Sequence, residues 1–74
     1  MESEFPGRLR KLRERTRCKQ YAVAHCCGVD RKTLSRYEKG EIEPSLTQLI
    51  NMAIYFEVSI DYLAGLTEDP TIRR

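Results

Sequence analysis

Apolar residues recur along the chain at three- and four-residue intervals, and the punctuation between them is helical. Leu9, Leu12 and Thr16 follow Pro6 at helical spacing, and proline suits a first helical turn. A second, short helix is expected from about Lys19 to Cys26. It puts Val23 and Cys27 on one face with Ala24 beside them, and Gly28 breaks it. Asp30 is a good N-cap for a third helix that ends before Gly40, with Leu34 and Tyr37 on its inner face. Residues 41–44 read as a loop. Ser45 with Gln48 forms a capping-box pattern that opens a fourth helix, expected to carry Leu46, Leu49, Ile50, Ala53 and Phe56 inward. Ser59 caps a short fifth helix with Ile60 and Leu63 inward, and Gly65 ends it. No alternating strand pattern of useful length, internal repeat or low-complexity segment is present. The predicted fold is all-α: a five-helix domain over residues 5–66 and a frayed tail over 67–74.

Composition narrows what such a domain can do. At 74 residues the chain holds one small core and no second one, since domains usually run to about 100–150 residues. Hydrophobic residues make up 41% of the chain, which argues against full disorder despite 32% charged residues. No apolar run approaches the roughly 18 residues of a membrane span. The acidic Met1-Glu2-Ser3-Glu4 start does not read as a secretory signal, so a cytoplasmic chain is expected. An active-site cleft is hard to build at this size, and a binding module is expected instead.

Cysteine and histidine raise one chemical alternative. Cys18, His25, Cys26 and Cys27 are four potential zinc ligands. Neighbouring helical residues point about 100° apart, however, and the spacing matches no known zinc pattern. No metal site and no cofactor are expected. Cys18 and Cys27 read as small apolar residues of the core. The odd cysteine count argues against a disulfide framework. His25 is the single histidine, and no nucleophile–base set or phosphate-cradling glycine loop accompanies it. No catalytic residue is assigned, and an enzyme is not expected.

Charge is more informative. Residues 1–40 hold eleven Lys and Arg against five acids, a balance of +6, whereas residues 41–74 hold two against six, a balance of −4. A basic half joined to an acidic half suggests one surface that meets a polyanion. The Arg8–Arg17 run alone could be only a solvated helix. The cluster from Arg31 to Lys39 changes that, because of where it falls.

Residues 20–38 have the layout of a helix-turn-helix. Ala24 is small where the two helices cross, and Gly28 tolerates the positive φ that the turn needs. Val23, Cys27, Val29, Leu34 and Tyr37 are apolar where the pair must pack on a core. Arg31, Lys32, Thr33, Ser35 and Arg36 are left on the exposed face of the second helix.

With these residues in place, the chain resembles the phage-repressor (lambda-repressor-like, Cro-type) helix-turn-helix family. The likeness runs from about Gly7 to Leu66. It is carried by residues 20–28 with Ala24, by Thr33-Leu34-Ser35-Arg36-Tyr37-Glu38-Lys39-Gly40, by Pro44-Ser45-Leu46, and by Val58-Ser59-Ile60-Asp61-Tyr62-Leu63-Ala64-Gly65. The resemblance implies a five-helix domain that binds double-stranded operator DNA, commonly as a homodimer on a pseudo-palindrome. It places Asp30, Arg31, Lys32 and Arg36 where the recognition helix faces the major groove. Arg31, Lys32 and Arg36 are the candidate base contacts, and the alternative for each is phosphate positioning. Gln20 falls where the family uses a glutamine and backbone N–H groups to hold a phosphate. Lys19, Thr33, Ser35, Lys39, Arg10 and Arg17 are further candidates for the DNA backbone. Arg13 and Glu38 match a family salt bridge between the first helix and the end of the recognition helix; otherwise they are two solvated side chains.

Some positions depart from the family's pattern. Lys19 stands where Ser or Thr usually caps the helix before Gln20. Arg17 and Glu57 stand where glycine often closes a helix, so strain or a changed turn is expected there. Ile54 and Tyr55, with Leu66 and Ile72, form either an exposed patch or an extension of the core. If exposed, they lie in the C-terminal helices through which relatives often dimerise. The expected function is sequence-specific DNA binding by a transcriptional regulator, most simply a repressor. An antitoxin or adaptor that uses the same fold to hold a protein partner is the alternative.

Overall fold

The computed structural model describes residues 3–72, in which the chain forms α1 (Phe5–Arg15), α2 (Gln20–Cys27), α3 (Arg31–Lys39), α4 (Leu46–Phe56) and α5 (Ile60–Ala64). No strand occurs among the described residues. The principal packing partners are α1 with α3, α3 with α2, α2 with α4, α4 with α5, and α5 with α1. The helices therefore close into a ring, each one seated on two others. The ring's centre takes one fully buried side chain from every helix: Leu9, Val23, Leu34, Met52 and Leu63, each 0% exposed. Phe5 meets Tyr37 edge to face, with ring centroids 6.2 Å apart, and fastens α1 to α3.

Met52 corrects the expected register of α4. The buried stripe is Leu49, Met52, Ala53 and Phe56, which keeps the i, i+3, i+4, i+7 spacing of one helical face. Leu46 and Ile50 were expected inward. Leu46 is 70% exposed, because it opens the helix one turn beyond the edge of the core. Ile50 lies off the stripe and is also exposed. Ile60, expected inward on α5, is exposed for the same reason as Leu46: it is the helix's first residue.

Caps account for most of the helix starts. Asp30, Ser45 and Ser59 accept from the backbone N–H groups of Thr33, Gln48 and Tyr62. The capping box of α4 is only half formed, since Gln48 Oε1 is buried and finds no partner among the described residues. The helix ends share one geometry. Behind each helix an N–H reaches back five residues and the preceding N–H reaches back three, as in Val29 to Ala24 with Gly28 to His25. Gly28, Gly40 and Gly65 supply the left-handed residue for three of these closures. Arg17 (φ 58°) and Glu57 (φ 57°) supply it for the other two. The turns at these two departures are therefore unchanged, and the strain sits in the residues themselves.

Arg8 had no role in the sequence reading beyond its charge, yet it is 7% exposed. Its guanidinium donates to the carbonyls of Tyr62 (3.0 Å) and Thr67 (2.6 Å), and to Glu68 Oε1 (2.8 Å). It also lies 4.3 Å from the centroid of the Tyr62 ring. The Ser59 N–H is bonded to the Pro70 carbonyl at 2.9 Å. Within the segment expected to fray, Thr67 and Glu68 thus bond to Arg8 of α1, and Pro70 to Ser59, the cap of α5. Thr71 and Ile72 follow, and Arg73 and Arg74, the end of that expected tail, lie outside the described residues.

A left-handed residue bearing a Cβ costs about 1–2 kcal/mol, part of which glycine returns through the entropy of the unfolded chain. Glu57→Gly is therefore expected to stabilise the domain by about 0.5–1 kcal/mol, measured by urea denaturation. A midpoint equal to or below that of the parent chain would show that no such strain is stored there.

Candidate nucleic-acid interface

The α2–α3 pair is positioned from three sides. Val23, Ala24 and Cys27 of α2 are buried, as are Leu34 and Tyr37 of α3. Burial pushes the Cys27 thiol up to about 11, so it stays neutral and acts as core. Gly28 (φ 77°) closes α2 in the left-handed region, and the chain turns at once into the Asp30 cap of α3. With one face of α3 used up in packing, Arg31, Lys32 and Arg36 are all exposed on the other. Lys39 is exposed in its last turn, and Thr33 and Ser35 are half-buried at its flanks.

Asp30 organises the start of this helix. Its Oδ1 accepts the Thr33 N–H at 2.7 Å. That bond and the Thr33 hydroxyl hold the carboxyl below its ordinary range, with a smaller contribution from the nearby charges of Lys32 and Arg36. The Thr33 N–H is thereby committed to the cap.

The far end of α3 is fixed by a different carboxylate. Glu38 has a side chain only 5% exposed. It accepts from Arg13 Nε at 2.5 Å and from Arg13 Nη2 at 3.0 Å, a two-pronged ion pair. It also accepts from Gln20 Nε2 at 3.1 Å, and Arg13 donates in addition to the Cys18 carbonyl at 3.2 Å. One carboxylate therefore joins α1, α2 and α3. The paired arrangement of Arg13 and Glu38 forms, and the solvated alternative does not. The bond to Gln20 could not be foreseen, since no spacing rule links residues 20 and 38. It ties up one of the two N–H groups on the Gln20 amide and leaves the other free to donate.

The remaining candidates separate into groups. Arg17, Lys19, Gln20 and Arg31 line one shallow notch together with Arg13, Cys18 and Tyr21. Lys19 gives α2 no side-chain cap; only its carbonyl serves the first turn, accepting from the N–H groups of Ala22 (3.1 Å) and Val23 (3.2 Å). Lys32, Arg36 and Lys39 follow α3 itself. Arg10 is not in the notch. It is exposed on α1 and paired with Glu14 at 3.3 Å, one turn along its own helix.

The cysteines do not gather around an ion. Among the described residues no three His, Cys, Asp or Glu side chains are placed to hold a metal. Cys18 is half-buried, with Sγ 3.5 Å from the Tyr55 hydroxyl, and Cys26 is exposed. Of the four residues that were to form a patch or extend the core, Tyr55 packs against the core. Ile54, Leu66 and Ile72 are exposed, and Ile54 and Ile72 line a groove between α4, α5 and the C-terminal segment.

Two substitutions probe this frame. Glu38→Ala leaves Arg13 largely buried without its partner and is expected to destabilise by about 2–3 kcal/mol, because Arg13 keeps some solvent contact. Chemical denaturation measures the loss, and a change under about 1 kcal/mol would place the pair among surface ion pairs. Asp30→Asn removes the charge from the cap. A carboxyl whose pKa is lowered on folding contributes stability in full above its unfolded value of about 3.9 and loses it as pH falls through the folded value. The stability gap between the chain and Asp30→Asn should therefore be present at neutral pH and close below about pH 4. A gap independent of pH would rule out a charged cap.

The family profile described as helix-turn-helix matches residues 9–63. The uncharacterized HTH-type transcriptional regulator YobD of Bacillus subtilis is 35% identical over 63 residues, which is 85% of this chain and 56% of that protein. The chain thus spans little more than half the length of that relative. A transcriptional regulator from Listeria innocua superposes with a TM-score of 0.84 at 31% identity, covering 90% of this chain and 63% of the other. The P22 c2 repressor, solved in complex with a synthetic operator, superposes with a TM-score of 0.81 at 27% identity, covering 85% of this chain and 96% of the repressor. Five helices in the same arrangement, with the profile spanning α2 and α3, place this chain in the helix-turn-helix family of the phage-repressor, lambda-repressor-like type.

Proposed function

We propose that this chain is the DNA-binding part of a transcriptional regulator, most simply a repressor, and that α3 reads the major groove of double-stranded DNA. One observation carries this reading. The exposed face of α3 presents Arg31, Lys32 and Arg36, while its other face packs on the core and its last turn is tied to α1 and α2. A basic helix held so firmly at the surface suits a groove lined with acceptors. The likeness to a repressor solved with operator DNA supports the same reading. Membership of a family of regulators sets the chain apart from enzymes.

Arg31, Lys32 and Arg36 are the base contacts in this reading. An arginine can meet guanine O6 and N7 together, a contact worth about 1–3 kcal/mol of discrimination. Lys19, Gln20 and Arg17 hold the DNA backbone at the notch, and Thr33, Ser35, Lys39 and Arg10 are further backbone contacts. Gln20 does so through the N–H that Glu38 leaves free. The operator is a pseudo-palindrome bound by a homodimer, with two recognition helices about 34 Å apart. The exposed Ile54 and Ile72 at the groove of α4 and α5 support a dimer face in the C-terminal helices. The site of action is cytoplasmic DNA. No helix among the described residues is long and apolar enough to cross a membrane.

Selection from a random duplex library at moderate salt tests the reading. The parent chain should enrich a pseudo-palindromic site, and the triple variant Arg31→Ala/Lys32→Ala/Arg36→Ala should enrich none. Equal behaviour of the two would sink direct readout by α3.

A further inference from the structure

We propose that the Tyr21 hydroxyl is an uncharged contact to the DNA backbone, donating to a phosphate at the edge of the groove that α3 enters. The proposal rests on the DNA-binding reading above and deepens it.

The chain has six aromatic side chains, four Tyr and two Phe. Phe5 and Tyr37 are buried, and Tyr55, Phe56 and Tyr62 are half-buried against the core. Tyr21 alone is left out, 65% exposed. Tyr21 is thus outside the core, and its hydroxyl makes no hydrogen bond within the described residues. Its surroundings are specific. Tyr21 lines the notch with Arg17, Lys19, Gln20 and Arg31, between the start of α2 and the start of α3. Arg13 also lines the notch, but Glu38 and the Cys18 carbonyl take up its donors.

In a helix-turn-helix the first helix of the pair crosses the sugar–phosphate backbone while the second enters the groove. Tyr21 stands on that first helix, beside the opening residue of the second. The cations around it concentrate negative charge at the notch, and a tyrosine hydroxyl is a competent phosphate donor. A neutral donor differs from its basic neighbours in one measurable way. Losing it weakens binding without changing the number of counterions released.

Fluorescence anisotropy would compare the parent chain, Tyr21→Phe and Lys19→Ala on the selected duplex and on a scrambled one, across about 50–200 mM salt. Tyr21→Phe keeps the ring and removes only the hydroxyl, and circular dichroism checks that the variant is folded. Tyr21→Phe is expected to weaken binding to both duplexes by about three- to tenfold. The ratio between the duplexes and the slope of log Kd against log salt should stay as in the parent chain. Lys19→Ala should lower that slope by about one. The proposal is overturned if Tyr21→Phe binds both duplexes within twofold of the parent chain, if its loss is confined to the selected duplex, or if its salt slope falls. A parent chain that binds neither duplex overturns the DNA reading itself, and this contact with it.

Discussion

A carboxylate withdrawn from water must find donors, and Glu38 finds all of its own on two other helices. The remaining arrangement follows from that requirement. Arg13 must lie at the end of α1, and Gln20 at the start of α2, both within reach of the last turn of α3. The three helices thereby acquire one relative geometry that apolar packing alone would specify less sharply. The same bonds give the exposed face of α3 its sign. The acid of its last turn is neutralised by a largely buried guanidinium, and the surface beyond it stays positive.

Closure of the helices is a second level of the same economy. The chain ends every helix with one hydrogen-bond pattern, whether or not glycine is present to make it easy. At Gly65 more than φ is involved. A Cβ there would come within 3.0 Å of the Glu4 side chain, so glycine also allows the chain just before α1 to approach the end of α5. Arg17 and Glu57 show the converse. Tertiary packing imposes a left-handed residue on a sequence that does not favour one.

What the sequence discloses follows from the range of the interaction behind each feature. Asp30, Ser45 and Ser59 were readable as caps because a cap is decided within three residues. Leu9, Val23, Leu34 and Leu63 were readable as inward because a helical face repeats every three to four. The resemblance to phage repressors, not periodicity, supplied the pairing of Arg13 with Glu38. Leu46 and Ile60 were misplaced because periodicity sets a direction but not where the core stops. Arg8 was read only as charge because its partners are carbonyls 54 and 59 residues away, and a backbone carbonyl leaves no mark in side-chain identity. On the candidate face, the basic residues of α3 were legible. The division of labour around the notch was not, since it depends on which donors Glu38 has already taken.

The ring of helix contacts has a consequence for how such a domain can discriminate between sequences. A shift of any one helix would open two seams at once, which stiffens α3 against its neighbours. On the proposed reading, such a domain would meet every duplex in nearly the same shape. Accommodation, on that reading, would then come from the rotamers of Arg31, Lys32 and Arg36, or from the DNA, by bending, twisting or narrowing its groove. Part of the preference for an operator would accordingly be written in base pairs that the protein never touches, as the elastic energy of fitting a rigid template.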